Sequence, residues 1–229
     1  MKRSQIDRSI DRAIDLLEEK GIKLPPWGYW TRSRWDAETA DASEVRRHGL
    51  GWNVTDFGSG DFAKTGLIIF VVRNGCLEKN QPITTKTYAE KYLIVEAGQV
   101  VPWHFHWLKT EDLINRSGGT LDVELGWAAG DERSLADKPV SAQVDGITKV
   151  VARGGMIRLE PGESVTLPPF MCHQFSGSSQ SGMTVAGEVS SLNDDGTDNC
   201  FLGRQVARTA IVEDSLAKYY LLDEYGRDR

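Results

Sequence analysis

Apolar residues recur along this chain in two rhythms, and the change from one to the other falls near residue 65. Over residues 4–20, Ile6, Ile10, Ile14 and Leu17 are spaced by four, four and three, which puts them on one face of an α-helix. Ser4, with Asp7 three residues on, is the expected cap of that helix, and Gly21 followed by Pro25 and Pro26 ends it. The apolar stripe needs a surface to cover, either the outside of a barrel or a second subunit. From Thr65 onward the pattern becomes short β-rich runs between turn signals: TGLIIFVVRN, KYLIVEAG, QVVPWHFHW, GTLDVELGWA, GITKVVARGG, MIRLEPG, ESVTLPP, HQFSG and GMTVAGEVSS. Strands at this spacing, with no helical pattern between them, predict a mainly β sandwich or barrel and not alternating β/α units. Between Gly118 and Gly162, AAGDERSLADKPVSAQVDG reads as a loop-bearing insertion. After residue 205 a strand-like VARTAIVED precedes SLAKYYLLDEY, expected to form a short C-terminal helix, and a charged tail.

With 229 residues, 40% of them hydrophobic, the chain can bury a full core as a single domain. We divide it into a helix and aromatic-rich extension (1–64), the barrel (65–212) and a tail (213–229). A net charge of -6 argues against nucleic acid as the main partner, because phosphate binding needs a basic surface. The N-terminal MKRSQIDRSIDRAIDLLEEK carries a charge every few residues and no apolar run, so it reads as neither signal peptide nor membrane anchor, and the expected location is the cytoplasm. Cys76, Cys172 and Cys200 are odd in number and scattered, which fits reduced thiols. His48, between Arg47 and Gly49, reads as a surface residue. Trp27, Tyr29, Trp30 and Trp35 fall within nine residues. Such rings stack on sugars, and Trp30 is the member we assign to that role, although sealing a barrel mouth or packing under a helix is the commoner use.

Candidate chemistry concentrates in GQVVPWHFHWLKTEDLINRSG, residues 98–118. One residue separates His104 from His106, so on a strand both imidazoles face one side and can meet one metal ion. Glu111 follows closely enough for the chain to turn and return a carboxylate from the neighbouring strand. Of the other histidines, His173 in the strand-like MCHQF is the better fourth ligand. The order Gly98, His104, His106, Glu111, Gly118 keeps every spacing of the first motif of the cupin superfamily, and the chain resembles that superfamily. Gly162, Pro168 and His173 keep the second motif, while Phe170 and Gly177 stand where it has glycine and asparagine. The resemblance implies a jelly-roll barrel.

Three histidines and a glutamate leave an octahedral ion two neighbouring open positions, which suits a bidentate substrate, dioxygen plus substrate, or an α-keto acid. On a strand Thr184, Ala186 and Glu188 share a face, and Glu188 near a metal is a candidate general base, a structural ion pair being the alternative. The tryptophan-rich WGYW, EKYLIVEAGQVVPWHFHWLKTEDLINRSGG and GEVSSLNDDGTDNCF are similar to the D-lyxose ketol-isomerases, over nearly the whole chain. That resemblance implies interconversion of D-lyxose with D-xylulose, and of D-mannose with D-fructose, by a homodimer using a divalent ion, typically manganese. Against this chemistry Glu188 is assigned proton transfer between C2 and C1 through an enediol, and Lys91 donation to the sugar oxygen. Lys109 is a second cation, and Asp198 and Arg204 are candidates for the distal hydroxyls, a solvated or paired surface role being the alternative for these three. A metal-assisted hydride shift is the rival path. Competing functions are a cupin dioxygenase, a non-catalytic sugar-binding cupin, and a phosphosugar isomerase drawing on Arg32, Arg34, Arg46 and Arg47.

Overall fold

Strand alternation sends one set of apolar side chains inward between two sheets and a second set outward beneath a helix. The computed structural model describes residues 1–75, 86–178, 182–203 and 206–225. In chain order it contains α1 (Arg3–Glu19), a 3-10 turn (Pro26–Tyr29), α2 (Arg32–Asp36), α3 (Ser43–Arg47), β1 (Gly51–Thr55), β2 (Leu67–Arg73), β3 (Tyr88–Val95), β4 (Val100–Phe105), β5 (Glu111–Gly118), β6 (Leu121–Trp127), β7 (Val140–Val144), β8 (Ile147–Val151), β9 (Gly155–Leu159), β10 (Ser164–Leu167), β11 (Met171–Gly177), β12 (Thr184–Ser191) and β13 (Cys200–Phe201). Eight strands make one sheet in the order β1-β2-β3-β12-β5-β10-β7-β8, and five make the other, β13-β4-β11-β6-β9. From β3 on the chain passes repeatedly between the two antiparallel layers, the jelly-roll winding expected of the motifs. Leu93, Leu113, Leu121, Val123, Leu125 and Ala186 are among the buried side chains that meet between the sheets.

The outward face of β2, β3 and β12 is covered by α1. Ile6, Ile10 and Leu17 of the predicted stripe have no exposed surface and, with Ala13, pack on Ile68, Phe70, Ile94 and Val185, while Ile14 is only partly buried against the same cluster, so the stripe covers the barrel itself. Each fully buried Ile or Leu there contributes about 1.5–3 kcal/mol. The helix ends as expected at Gly21 (φ 72°), where Ile22 N–H reaches the Leu17 carbonyl and Gly21 N–H that of Glu18, a closure that needs a left-handed residue. Ser4 does not cap the start: Lys2 holds the cap position, and the Ser4 hydroxyl donates to Asp214 instead. Asp7 accepts from the backbone amides of Lys218 and Tyr219.

Those contacts explain a correction. The segment SLAKYYLLDEY forms no helix; it runs through bends and turns, with one isolated bridge, from Leu221 to Trp52. Its backbone groups are committed to tertiary partners, the Lys218 and Tyr219 amides to Asp7 and the Leu222 amide to the Trp52 carbonyl, so they cannot make i→i−4 bonds. VARTAIVED likewise makes only the single bridge at Val212. Within the expected insertion, Val140–Val144 is a strand with alternating burial paired to both β8 and β10, and only the part before it is loop.

Arg3 fastens this C-terminal segment to α1. Its guanidinium, 3% exposed, makes hydrogen bonds of 2.9 and 2.7 Å to the two oxygens of Glu213 and also contacts both oxygens of Glu224. Arg3→Ala leaves Glu224 without its cation in a mostly covered site and is expected to lower stability by about 3 kcal/mol, read by urea unfolding. A change below about 1 kcal/mol, the range of exposed pairs, would show that the segment is held by other contacts.

Candidate metal centre and active site

Four donor side chains converge from both sheets. His104 lies on β4 directly opposite His173 on β11, and His106 follows the end of β4. Glu111 opens β5, the next strand in sequence, whose partners are β10 and β12, so its carboxylate arrives from the facing sheet. All four are buried, and their ligand atoms lie within 4.8 Å of one another.

The hydrogen bonds behind the imidazoles fix which nitrogen faces the cluster. His104 Nδ1 lies 2.8 Å from the Pro102 carbonyl, His173 Nδ1 3.1 Å from that of Met171, and His106 Nδ1 against that of Asp198. A carbonyl only accepts, so each Nδ1 carries the proton and each Nε2 is left with its lone pair inward. Burial, reinforced by His173 and His106, holds His104 well below the usual histidine range and therefore neutral, as a ligand must be. His106 Nε2 is buried without a hydrogen-bond partner among the described residues, an orphan that a cation would satisfy. Glu111 divides its oxygens: Oε1 is 3.0 Å from His173 Nε2, while Oε2 is 2.6 Å from Lys109 Nζ. The donor set fits a divalent ion.

A second cluster adjoins the first. Glu188 on β12 faces Lys91 on β3 in direct cross-strand register. Its Oε1 receives Lys91 Nζ at 3.2 Å and Lys109 Nζ at 2.9 Å, whereas Oε2 has no partner among the described residues. Burial works against the Lys109 ammonium, but Glu111, Glu188 and Asp195 more than offset it and raise its pKa. Crowding by protein raises the Asp195 carboxyl, yet Lys91 and Lys109 draw it the other way, to about 2, with 53% of its side chain still facing solvent. His104, His106 and Glu111 of the first cluster, and Lys91, Lys109, Glu188 and Asp195 around the second, line a cavity of about 950 Å³ with an apolar wall that includes Leu67, Leu93 and Leu113, and a polar rim that includes Asn199 and Thr209. Residues 206–209 and 221–223 of the C-terminal segment complete the lining. Such a volume lies at the upper end of the roughly 300–1,000 Å³ typical of small-molecule sites.

Residues 1–225 match the family model described as D-lyxose isomerase. The chain belongs to the D-lyxose isomerase family. It is 41% identical over 230 residues to the D-lyxose/D-mannose isomerase of Escherichia coli O157:H7, with 100% of both chains covered. It is 39% identical over 228 residues to the protein of the same name from Serratia proteamaculans, with 99% of both covered. Among solved structures, Cellulomonas parahominis L-ribose isomerase with L-ribose matches 93% of this chain and 98% of its own at a TM-score of 0.61 and 18% identity, a likeness of fold.

In this D-lyxose isomerase family member, Lys91, Lys109, Glu188 and the four candidate donors lie in adjoining clusters. Three described candidates are not part of the cavity lining: His173, which sits behind it in the donor cluster, Trp30 and Asp198. Trp30 packs edge-on against Trp35 at 4.8 Å and carries the Arg34 guanidinium over its ring, because the aromatic extension builds a small core of its own under Tyr225 and Val71. Asp198 is buried with its carboxylate spent on the chain: Oδ1 accepts from the amides of Trp107 and Leu108, and Oδ2 from that of Lys109. It pins the turn between the histidines and Glu111, and through its carbonyl it orients His106. Arg204 and Cys76 lie outside the described residues. Arg32, Arg34, Arg46 and Arg47 do not line the cavity, so the phosphosugar alternative loses its basic cluster. Cys172 packs, fully buried, on the face opposite His173. Phe170, at the motif's glycine position, takes φ 63° and stacks on Phe105 at 5.6 Å, so the left-handed turn persists with a side chain that pays about 1–2 kcal/mol for it.

Sequence reasoning missed Asp195 and Asn193. NDDGTDN reads as a polar turn, and nothing in its letters separates Asp194, which caps that turn, and Asp198, which clamps another, from Asp195, which faces the cavity.

Proposed function

We propose that the protein is a divalent-metal-dependent aldose-ketose isomerase that interconverts D-lyxose with D-xylulose and D-mannose with D-fructose. The observation that carries this reading is a buried cluster of four candidate metal donors adjoining a carboxylate held by two ammonium groups, in a chain of this family. His104, His106, His173 and Glu111 Oε1 would hold the ion, with manganese the expected one. When bound, it supplies Lewis-acid stabilisation of negative charge on the sugar oxygens.

The protein's own groups supply the proton transfer. Glu188 Oε2 takes the proton from C2 and returns it to C1, passing through an enediol, while Oε1 stays fixed by Lys91 and Lys109. Both ammonium groups already have three acceptors each: Lys91 has Glu188, Asn193 and Asp195; Lys109 has Glu111, Glu188 and Asn193. The contact of Lys91 with half-exposed Asp195, at 3.5 Å, is the weakest of these, so Lys91 can exchange it for a sugar oxygen most readily. Lys109 is left to hold Glu111 and Glu188 in place. We further propose a cytoplasmic homodimer; among the described residues no helix is long and apolar enough to cross a membrane.

The test is a panel of pentoses and hexoses incubated with manganese-loaded protein and read by ketose formation. D-Lyxose and D-mannose should turn over, a chelator should abolish turnover, and added Mn²⁺ should restore it. A flat panel with oxygen uptake would move the assignment to a dioxygenase. Product formed without solvent tritium exchange would replace the enediol path with a hydride shift.

A further inference from the structure

Asn193 is the neutral side chain on which the two ammonium groups meet. Its Oδ1 lies 2.7 Å from Lys91 Nζ and 3.3 Å from Lys109 Nζ. Both partners are donors only, so the amide must turn its oxygen to them. The residue is itself held at two points by Asn74: Asn193 N–H donates to Asn74 Oδ1 at 3.1 Å, and Asn74 Nδ2 donates to the Asn193 carbonyl at 2.9 Å. Asn74, 8% exposed and just past β2, is fixed in turn by His48, whose Nδ1 lies 2.8 Å from its carbonyl. His48, expected at the surface, is half-buried and bonded there. A hydrogen-bonded path therefore runs from the end of α3 to the lysines, and neither Asn74 nor Asn193 lines the cavity.

We infer that Asn193 is a positioning residue for the isomerisation, holding Lys91 and Lys109 against one oxygen of Glu188 so that the other stays turned to the substrate. The inference rests on the role given to Glu188 above. Three carboxylates, Glu111, Glu188 and Asp195, already surround the two ammonium groups. A neutral acceptor completes the coordination of both lysines without a fourth negative charge. Without it, Lys91 would relax toward Asp195 and Lys109 toward Glu111, and Glu188 would lose its anchor; displacements of this order near reacting atoms cost about a hundredfold in rate.

Asn193→Leu keeps the volume and removes the acceptor, while Asn193→Asp keeps an oxygen in place. In the metal-loaded enzyme, Asn193→Leu is expected to lower kcat about ten- to a hundredfold with KM within about threefold, and Asn193→Asp, which keeps the acceptor but adds the fourth negative charge, to recover only part of that loss. A kcat for Asn193→Leu within about twofold of the parent overturns the inference. So does a rise in KM that matches the fall in kcat in both variants together with a shared drop in melting temperature, the mark of a collapsed turn. A readout free of turnover is the ¹⁵N-lysine spectrum: two slowly exchanging ammonium signals, assigned with Lys91→Arg and Lys109→Arg, should be present in the parent and lost or shifted in Asn193→Leu. If the parent makes no ketose from any sugar, the isomerase reading fails, and this spectrum still decides the positioning, unchanged signals refuting it.

Discussion

Glu188→Gln is expected to lower kcat for D-lyxose about a thousandfold while leaving the fold and the ion content intact. The expectation rests on how little else the substitution changes. A glutamine carbonyl can occupy the place of Oε1 and still accept from Lys91 and Lys109, which sit at 3.2 and 2.9 Å. The cross-strand pairing of β12 with β3 and β5 does not involve the side chain. What disappears is the basic oxygen on the cavity side, and an amide cannot take a proton at neutral pH. KM should change far less than kcat, because proton abstraction belongs to the transition state. Steady-state kinetics with metal analysis on the same sample measures both. Retention of a tenth or more of the parental kcat would mean that another group is the base.

The second large effect is expected at His173→Ala, with divalent-ion affinity reduced by at least about a hundredfold and isomerase activity lost at micromolar metal. His173 is 1% exposed, faces His104 across the β4–β11 ladder and lies 3.0 Å from Glu111 Oε1, so no water-filled space is ready to replace its donor. Loss of a supporting outer contact in metal sites already costs about ten- to a hundredfold, and loss of a ligand should exceed that. Calorimetric titration of Mn²⁺ into the metal-free proteins measures the change. Equal affinity in variant and parent would remove His173 from the ligand set. A parallel His173→Gln, which keeps more of the buried volume, guards against mistaking a packing defect for loss of a ligand.

The clustering of the four candidate donors was legible because metal binding would impose chemistry on spacing: His104 and His106 had to share a strand face, and few histidines competed for the third place. The pairing of Glu188 with Lys91 was also within reach, since strand alternation places each on an inward face. The sheet that carries Glu111 was not. β5 begins with polar residues whose burial, at Glu111 and Asn115, runs against their type because they serve the site or cap buried backbone. β7 escaped notice for a different reason: Ser141, Ala142 and Gln143 lack β-branched side chains, although the alternation is complete in the fold. The C-terminal segment shows the converse. Its apolar spacing suits a helix, but Asp7 on α1 takes its amides, and a contact more than 200 positions away in sequence leaves no local signal. Trp30 and Asp198 carried the right chemistry for a sugar and were claimed by packing and by backbone amides. Asn193 could not have been singled out, because its meaning lies in two lysines that come from other parts of the chain.

Three imidazoles stand on one layer of the barrel and the carboxylate on the other, so an ion held by all four would also rivet the two walls together. Heat tolerance and turnover would then draw on the same four atoms. A lineage shifting to scarcer or weaker-binding ions would have to reinforce the seam between the layers elsewhere before it could give up this one.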